Sequence, residues 1–266
     1  MAWYYWQDLT GPELDALADD AALAVLPVAA IEQHGPHLPL ATDVTIGEGL
    51  LSAALERLPD NSAPVFLLPT LAIGASLEHT NYAGTLSLAP ETAITTIESI
   101  GAALARAGVR RLLLFNSHGG NKAVLDLAAL KLRAAHDMLV VKANYFRFAA
   151  PANSLAAHEM AHGLHGGALE TSLMLHFAPE AVRRAHIADF KPIGARRAEA
   201  GATLLPEGDA GFAWMAEDLH PAGVAGDARL ASAEHGAAFA AQFGARLAEI
   251  MAETLAFDLK TIGHRA

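Results

Sequence analysis

Four short apolar runs, each bounded by turn residues, constrain what this chain can fold into: residues 24–31, 65–71, 112–115 and 139–143. Runs this short, with little polar alternation, are the pattern of strands buried on both faces. The periodicity between them is helical. Residues 45–57 are amphipathic, residues 91–107 follow Pro90 and stop at Gly108, and Lys122–His136 carries Val124, Leu125, Ala128, Leu132 and Ala135 at helical spacing. Strands alternating with helices predict an α/β fold, a mainly parallel sheet with helices on both faces. Beyond residue 145 the pattern loosens. Ala168–Phe177 reads as a buried helix, and residues 228–257 as a long Ala-rich one with candidate breaks at Gly236 and Gly244. Residues 189–220, rich in Gly, Pro and charge, predict an excursion over the surface or into a subunit contact. With no internal repeat and no linker, residues 1–266 are expected to form a single domain.

Composition removes several classes of function. The net charge is −11 and no basic stripe exists to displace phosphate counterions, which argues against a nucleic-acid partner. There is no cysteine, which excludes disulfides, thiolate catalysis and zinc–sulfur sites, so any metal must be held by His, Asp and Glu. Residues 1–8 lack the basic n-region of a signal peptide. No apolar stretch reaches the ~20 residues of a membrane span. The expectation is a cytoplasmic protein with no membrane partner.

Directly behind the first apolar run, residues 31–43 hold Glu32, His34, His37 and Asp43, hinged at Gly35 and stiffened by Pro36 and Pro39. Four possible ligands in so short and stiff a loop suit a cation. A second signal is Asn116-Ser117-His118-Gly119-Gly120-Asn121, a turn at the carboxyl end of a predicted strand, where open α/β sheets place their sites. The alternative is an ordinary glycine-rich turn with a surface histidine. The third is His162-Gly163-Leu164-His165-Gly166-Gly167, followed by Glu170 in the first turn of an apolar helix. A carboxylate there also complements a helix dipole, but two histidines and three glycines beside it favour function. The fourth follows the second strand: Glu78 and His79, with Tyr82 close behind, either line a pocket or fix a loop. His136, His158, His176, His186, His220, His235 and His264 lack such context and read as surface or core residues.

Taken together these blocks resemble the creatininase family of amidohydrolases. They run in family order from Glu32–Asp43 through Glu78–Ser87, Asn116–Asn121 and His165–Ser172 to a tail block at residues 223–232. The resemblance implies a three-layer α/β/α sandwich whose site holds two divalent metal ions, zinc and/or manganese. Its expected ligands are Glu32, His34, Asp43, His118 and Glu170, with Asp43 bridging. His165 matches the catalytic base and proton shuttle. The implied reaction is hydrolysis of an amide-like C–N bond (lactam, formamide or short peptide) in a small molecule, by a water bridging the two metals. Creatininase itself carries an acidic residue two places after the turn histidine. Here that place is Gly120, so the carboxylate, and part of the catalysis, must come from Glu170. The family's substrate-covering tryptophans are absent between Trp6 and Trp214, which argues against creatinine as substrate; Tyr145, Phe146 and Phe148 offer an aromatic wall instead. The family further implies a homo-oligomer, commonly a hexamer. Rival readings are a catalytically silent metal-binding or assembly protein, a two-metal phosphoesterase, and a hydrolase of a non-amide bond such as a cyclic ketone C–C bond.

Overall fold

The structure, a computed structural model, describes residues 3–58, 63–152 and 154–262; His264 lies outside them. Five parallel strands form the central sheet: β1 Trp3–Tyr5, β2 Leu23–Val28, β3 Val65–Leu67, β4 Arg111–Asn116 and β5 Leu139–Asn144, in the order β1-β3-β2-β4-β5. The predicted run 65–71 is a strand only as far as Leu67. Pro69 lacks the donor a ladder requires, and Leu71 rejoins β2 by a single bridge at Val28. The edge strand β1 was not expected. Its three residues are partly exposed, and a run of three is too short to show a period.

The inner strands β2, β3 and β4 are buried on both faces, and their successive residues serve opposite layers. Strand β5, expected to be equally buried, is mostly half-buried because it is an edge strand with a neighbour on one side only. Leu23, Val25, Leu113 and Phe115 pack against α2 (Thr42–Leu55), α6 (Ala168–Phe177) and α9 (Ala233–Ala256). Ala24, Leu26, Leu112 and Leu114 pack against α3 (Pro90–Arg106) and α4 (Lys122–His136), with α1 (Gly11–Leu17) at the margin. The result is a three-layer α/β/α sandwich. The long last helix starts at Ala233, after Ser232 accepts the His235 N–H as its cap, and is unbroken at Gly236 and Gly244. Both glycines are points of close approach. A Cβ at Gly236 would overlap the Ser172 carbonyl of α6, and one at Gly244 would lie 2.8 Å from Ala53 of α2.

The region 189–220 is an excursion with little regular structure: β6 (Asp189–Phe190), α7 (Ile193–Glu199) and α8 (Ala216–Leu219). Strand β6 pairs antiparallel with β7 (Gly226–Asp227). The remaining helix, α5 (Ala157–His162), precedes the His165 turn. No helix among the described residues is long and apolar enough to cross a membrane.

The strand order fixes where a site can form. From β2 the chain passes to β3 on one side, then returns to β4 on the other, so the loops after β2 and β4 diverge at their carboxyl ends. Such a switch point opens a crevice. The loop after β2 carries Glu32 and His34, and the turn after β4 carries His118.

Candidate metal centre

Five side chains from three distant segments meet at that crevice. Glu32 and His34 stand in the loop after β2, Asp43 in the first turn of α2, His118 in the turn after β4 and Glu170 in the first turn of α6. The loop after β2 reverses at Gly35, whose φ of 65° suits glycine, and a Cβ there would come within 2.8 Å of Val224. Glu32 and His34 are fully buried, and Asp43 is 1% exposed. The site opens where Glu170 (15%) and Glu78 (19%) keep part of their side chains exposed.

Hydrogen bonds to the backbone aim the imidazoles. His34 donates from Nδ1 to the Glu32 carbonyl (3.1 Å), which points Nε2 at Asp43 Oδ1 (3.2 Å) and Glu170 Oε2 (3.8 Å). His118 donates from Nε2 to the Ala75 carbonyl (3.0 Å), turning Nδ1 toward Glu32 Oε1 (3.1 Å) and Asp43 Oδ2 (3.3 Å). His165 donates from Nε2 to the Gln33 carbonyl (2.8 Å), leaving the Nδ1 lone pair 3.6 Å from Glu32 Oε1. One ring nitrogen anchored on a carbonyl and the other free for a cation is the usual arrangement of metal-binding histidines. His79 is oriented the opposite way. The Gln33 amide donates to its Nδ1 (2.8 Å), and its Nε2 lies 3.4 Å from Glu32 Oε1 without forming a hydrogen bond.

The donors form three overlapping groups, each with ligand atoms within 4.8 Å of one another: Glu32–Asp43–His118, His34–Asp43–Glu170 and Glu32–His34–His165. Both Glu32 oxygens, Asp43 Oδ2 and His34 Nε2 are buried without a hydrogen-bond partner. Orphaned buried carboxylate oxygens are costly, and a divalent ion is the partner this oxygen-and-imidazole set fits.

The electrostatics of the metal-free cluster follow from that crowding. Burial works against charge on His34, yet Asp43, Glu170 and Glu32 outweigh it and raise its pKa to about 9. His118 is likewise buried and is raised well above the ordinary histidine value by Glu32 and Asp43. Asp43, although buried, is held down to about 2 by His34 and His118. Burial lifts Glu170 to about 6, and it also raises Glu78. Burial, then the neighbouring His34, keeps His165 well below its ordinary value, and burial brings His79 down to about 4. Protons on His34 and His118 thus stand where cations would.

The other expected site residues fall into place around this cluster. His79 is buried and packs against His165, which packs against His34, each pair tilted and 4.2 Å apart between centroids. The Glu78 carboxylate fills the space beside Gly120 that a side chain there would occupy. Tyr82, half-buried, donates to the Pro221 carbonyl (3.2 Å). Tyr145, expected to line the substrate pocket, is 1% exposed: its ring packs in the core with Phe243 and its hydroxyl donates to Glu170 Oε1 (3.3 Å). His37 supports the loop by bonding the Gly166 carbonyl (3.0 Å). Two contributors were not anticipated. Gln33 clamps His79 and the Gly223 carbonyl (2.5 Å), and Asn121 ties Ala75 N (2.9 Å) to the Ala29 carbonyl (3.1 Å). Their only sequence signal was position inside the motifs.

Fold and site together define an α/β/α protein with a histidine–carboxylate centre at its topological switch point. A family model described as creatinine amidohydrolase matches residues 7–251, and the chain belongs to the creatininase family. Among its relatives, a creatinine amidohydrolase of Pseudomonas putida is 32% identical, over 70% of this chain and 76% of that protein. A mycofactocin precursor peptide peptidase of Mycobacterium tuberculosis is 34% identical over 60% of this chain and only 60% of its own length. The corresponding peptidase of Mycobacterium ulcerans is 32% identical, with 73% of this chain and 81% of that protein covered. A crystal structure of creatininase superposes with a TM-score of 0.77 at 28% identity, covering 96% of this chain and 98% of that one. Zinc and manganese forms of creatininase are among the similar structures.

Proposed function

We propose that this protein is a metal-dependent hydrolase of an amide-like C–N bond in a small molecule, working with two divalent ions, zinc and/or manganese. The observation that carries the reading is the division of Asp43. One of its oxygens faces His34 and the other His118, so a single carboxylate is shared between two complete donor groups. Glu32, Asp43 and His118 would hold one ion, and His34, Asp43 and Glu170 the other. Ions bound there supply the polarisation of a carbonyl and the ionisation of a water near neutral pH.

The chain's own groups do the rest. Glu170 is held for its role by the Gly166 N–H at 2.6 Å and the Tyr145 hydroxyl. His165 keeps its Nε2 proton on the Gln33 carbonyl, so only Nδ1 is free to take a proton from water and deliver it to the departing nitrogen. Glu78, whose side chain is 19% exposed, and Tyr82 would line the way in for substrate. The relatives named for creatinine and for a precursor peptide both act on C–N bonds by their names, which supports the reaction class.

Metal analysis and a substrate panel test this together. Two divalent ions per chain and metal-dependent turnover of lactams, formamides or short peptides are expected. Fewer than one ion per chain, or turnover confined to cyclic ketones or phosphate esters, would overturn it.

A further inference from the structure

Helix α5 carries a buried carboxylate that the proposed chemistry does not use. Glu159 is 7% exposed and makes no salt bridge among the described residues. Its two oxygens accept backbone N–H groups from separate elements. Oε1 takes the Ala168 N–H (2.8 Å), at the first residue of α6, and Oε2 takes the Asp227 N–H (2.9 Å), in β7. The backbone closes tightly around it: a Cβ at Gly163, Gly167 or Gly226 would come within 2.7 Å of Oε1. No side chain other than glycine fits these three positions while the carboxylate is in place.

What this carboxylate fastens is the frame of the site. Gly163 and Gly167 bracket the turn that carries His165. The turn pairs with the strand leading to β7, with His165 N on the Ala225 carbonyl (3.3 Å) and Ala225 N on the His165 carbonyl (2.7 Å). Its next residue, Gly166, donates to Glu170 Oε2. Ala168 starts the helix whose first turn presents Glu170. One group therefore sets the distance between the His165 turn, β7 and the N-terminus of α6.

We propose that Glu159 is a positioning residue that holds Glu170 and the His165 turn in register for the ion bound by His34, Asp43 and Glu170. The proposal rests on the two-metal reading above. It requires an acceptor on both oxygens. A glutamine would turn one amide NH₂ against a backbone N–H, losing one bond and opposing two donors at nearly unchanged volume.

Calorimetric titration of the metal-free full-length protein with Zn²⁺ tests this, alongside its melting temperature. The wild type is expected to take up two ions per chain. Glu159→Gln should bind one ion as the wild type does and the other at least tenfold more weakly, with the metal-free melting temperature within a few degrees of wild type. Ala168→Pro approaches the same contact from the other side. Proline is tolerated at the first position of a helix but cannot donate to Oε1, so the same loss of one ion is expected. If Glu159→Gln does not fold, Ala168→Pro decides. Either folded variant binding both ions with wild-type affinity overturns the proposal. So does an equal weakening of both ions with a lowered melting temperature, or failure of both variants to fold, since each makes the contact merely structural. A wild type that binds fewer than two ions sinks the two-metal reading itself, a different and distinguishable failure.

Discussion

At the scale of single residues, Asp43 and His165 separate holding metal from moving protons. Asp43→Asn removes a charge shared by both donor groups, so both ions should bind at least 100-fold more weakly by titration and activity should vanish with them. His165→Ala should retain both ions while kcat falls by 10²–10⁴, the usual worth of general acid–base catalysis. Normal turnover in His165→Ala would show that the shuttle is another group. The raised pKa values of His34 and His118 give a third expectation. With its pKa raised to about 9, His34 is protonated at pH 7 in the metal-free protein, so metal uptake must release its proton and Zn²⁺ affinity should climb as pH rises through about 9; the upward shift of His118 acts in the same direction. The stability that His34 contributes through its raised pKa is complete below 6.5 and is lost as pH rises through about 9. The metal-free protein should therefore melt lower at pH 10 than at pH 6.5, and His34→Ala should shrink that difference. The stiff loop at residues 32–43 and the glycines beside His118 and Glu170 drew attention to the five candidate ligands, but their grouping into one set came from the family resemblance. Gln33 and Glu159 went unnoticed: they act on backbone groups 190 and 68 residues away, contacts no local pattern announces.

At the scale of elements, the sequence reported what was apolar and missed what was close. Runs 24–31 and 112–115 became β2 and β4 because their residues are buried on both faces. The edge strand β1 escaped notice because a strand of three partly exposed residues has no periodicity to read. Glycines in α9 suggested breaks in a helix that in fact stays whole, because Gly236 and Gly244 let α6 and α2 approach. The α6–α9 contact bears on the site, since α6 presents Glu170. Gly236→Ala would drive a methyl into the Ser172 carbonyl, and overpacking of this kind costs ~1–3 kcal/mol. For a chain of this size that lowers the melting temperature by several degrees. If the helices move apart to relieve it, Zn²⁺ affinity at the Glu170 side should fall as well. An unchanged melting temperature would mean the crossing is looser than the structure shows.

At the scale of the molecule, charge narrows the substrate. The net charge is −11, and Glu32, Asp43, Glu78 and Glu170 crowd one crevice with neither lysine nor arginine in contact with them among the described residues. Lys122, the one lysine or arginine beside the three core motifs, is 3.5 Å from Glu207 and so is already engaged, and Arg229 of the tail block is paired with Asp227 and Asp189. Phosphoryl transfer needs cationic groups that clamp the phosphate oxygens, and this site offers none of its own. Bound ions would offset much of the local negative charge, but the surrounding field would still draw in a cation and repel an anion. In a matched series of amides, those bearing an ammonium group should therefore show a kcat/KM that falls as ionic strength rises. Neutral amides should be insensitive to salt, since screening acts only on charge. Amides carrying an extra carboxylate should be turned over at least tenfold less efficiently than their neutral counterparts, with the gap narrowing at high salt. An anionic amide preferred at low ionic strength would overturn this account of the field around the crevice.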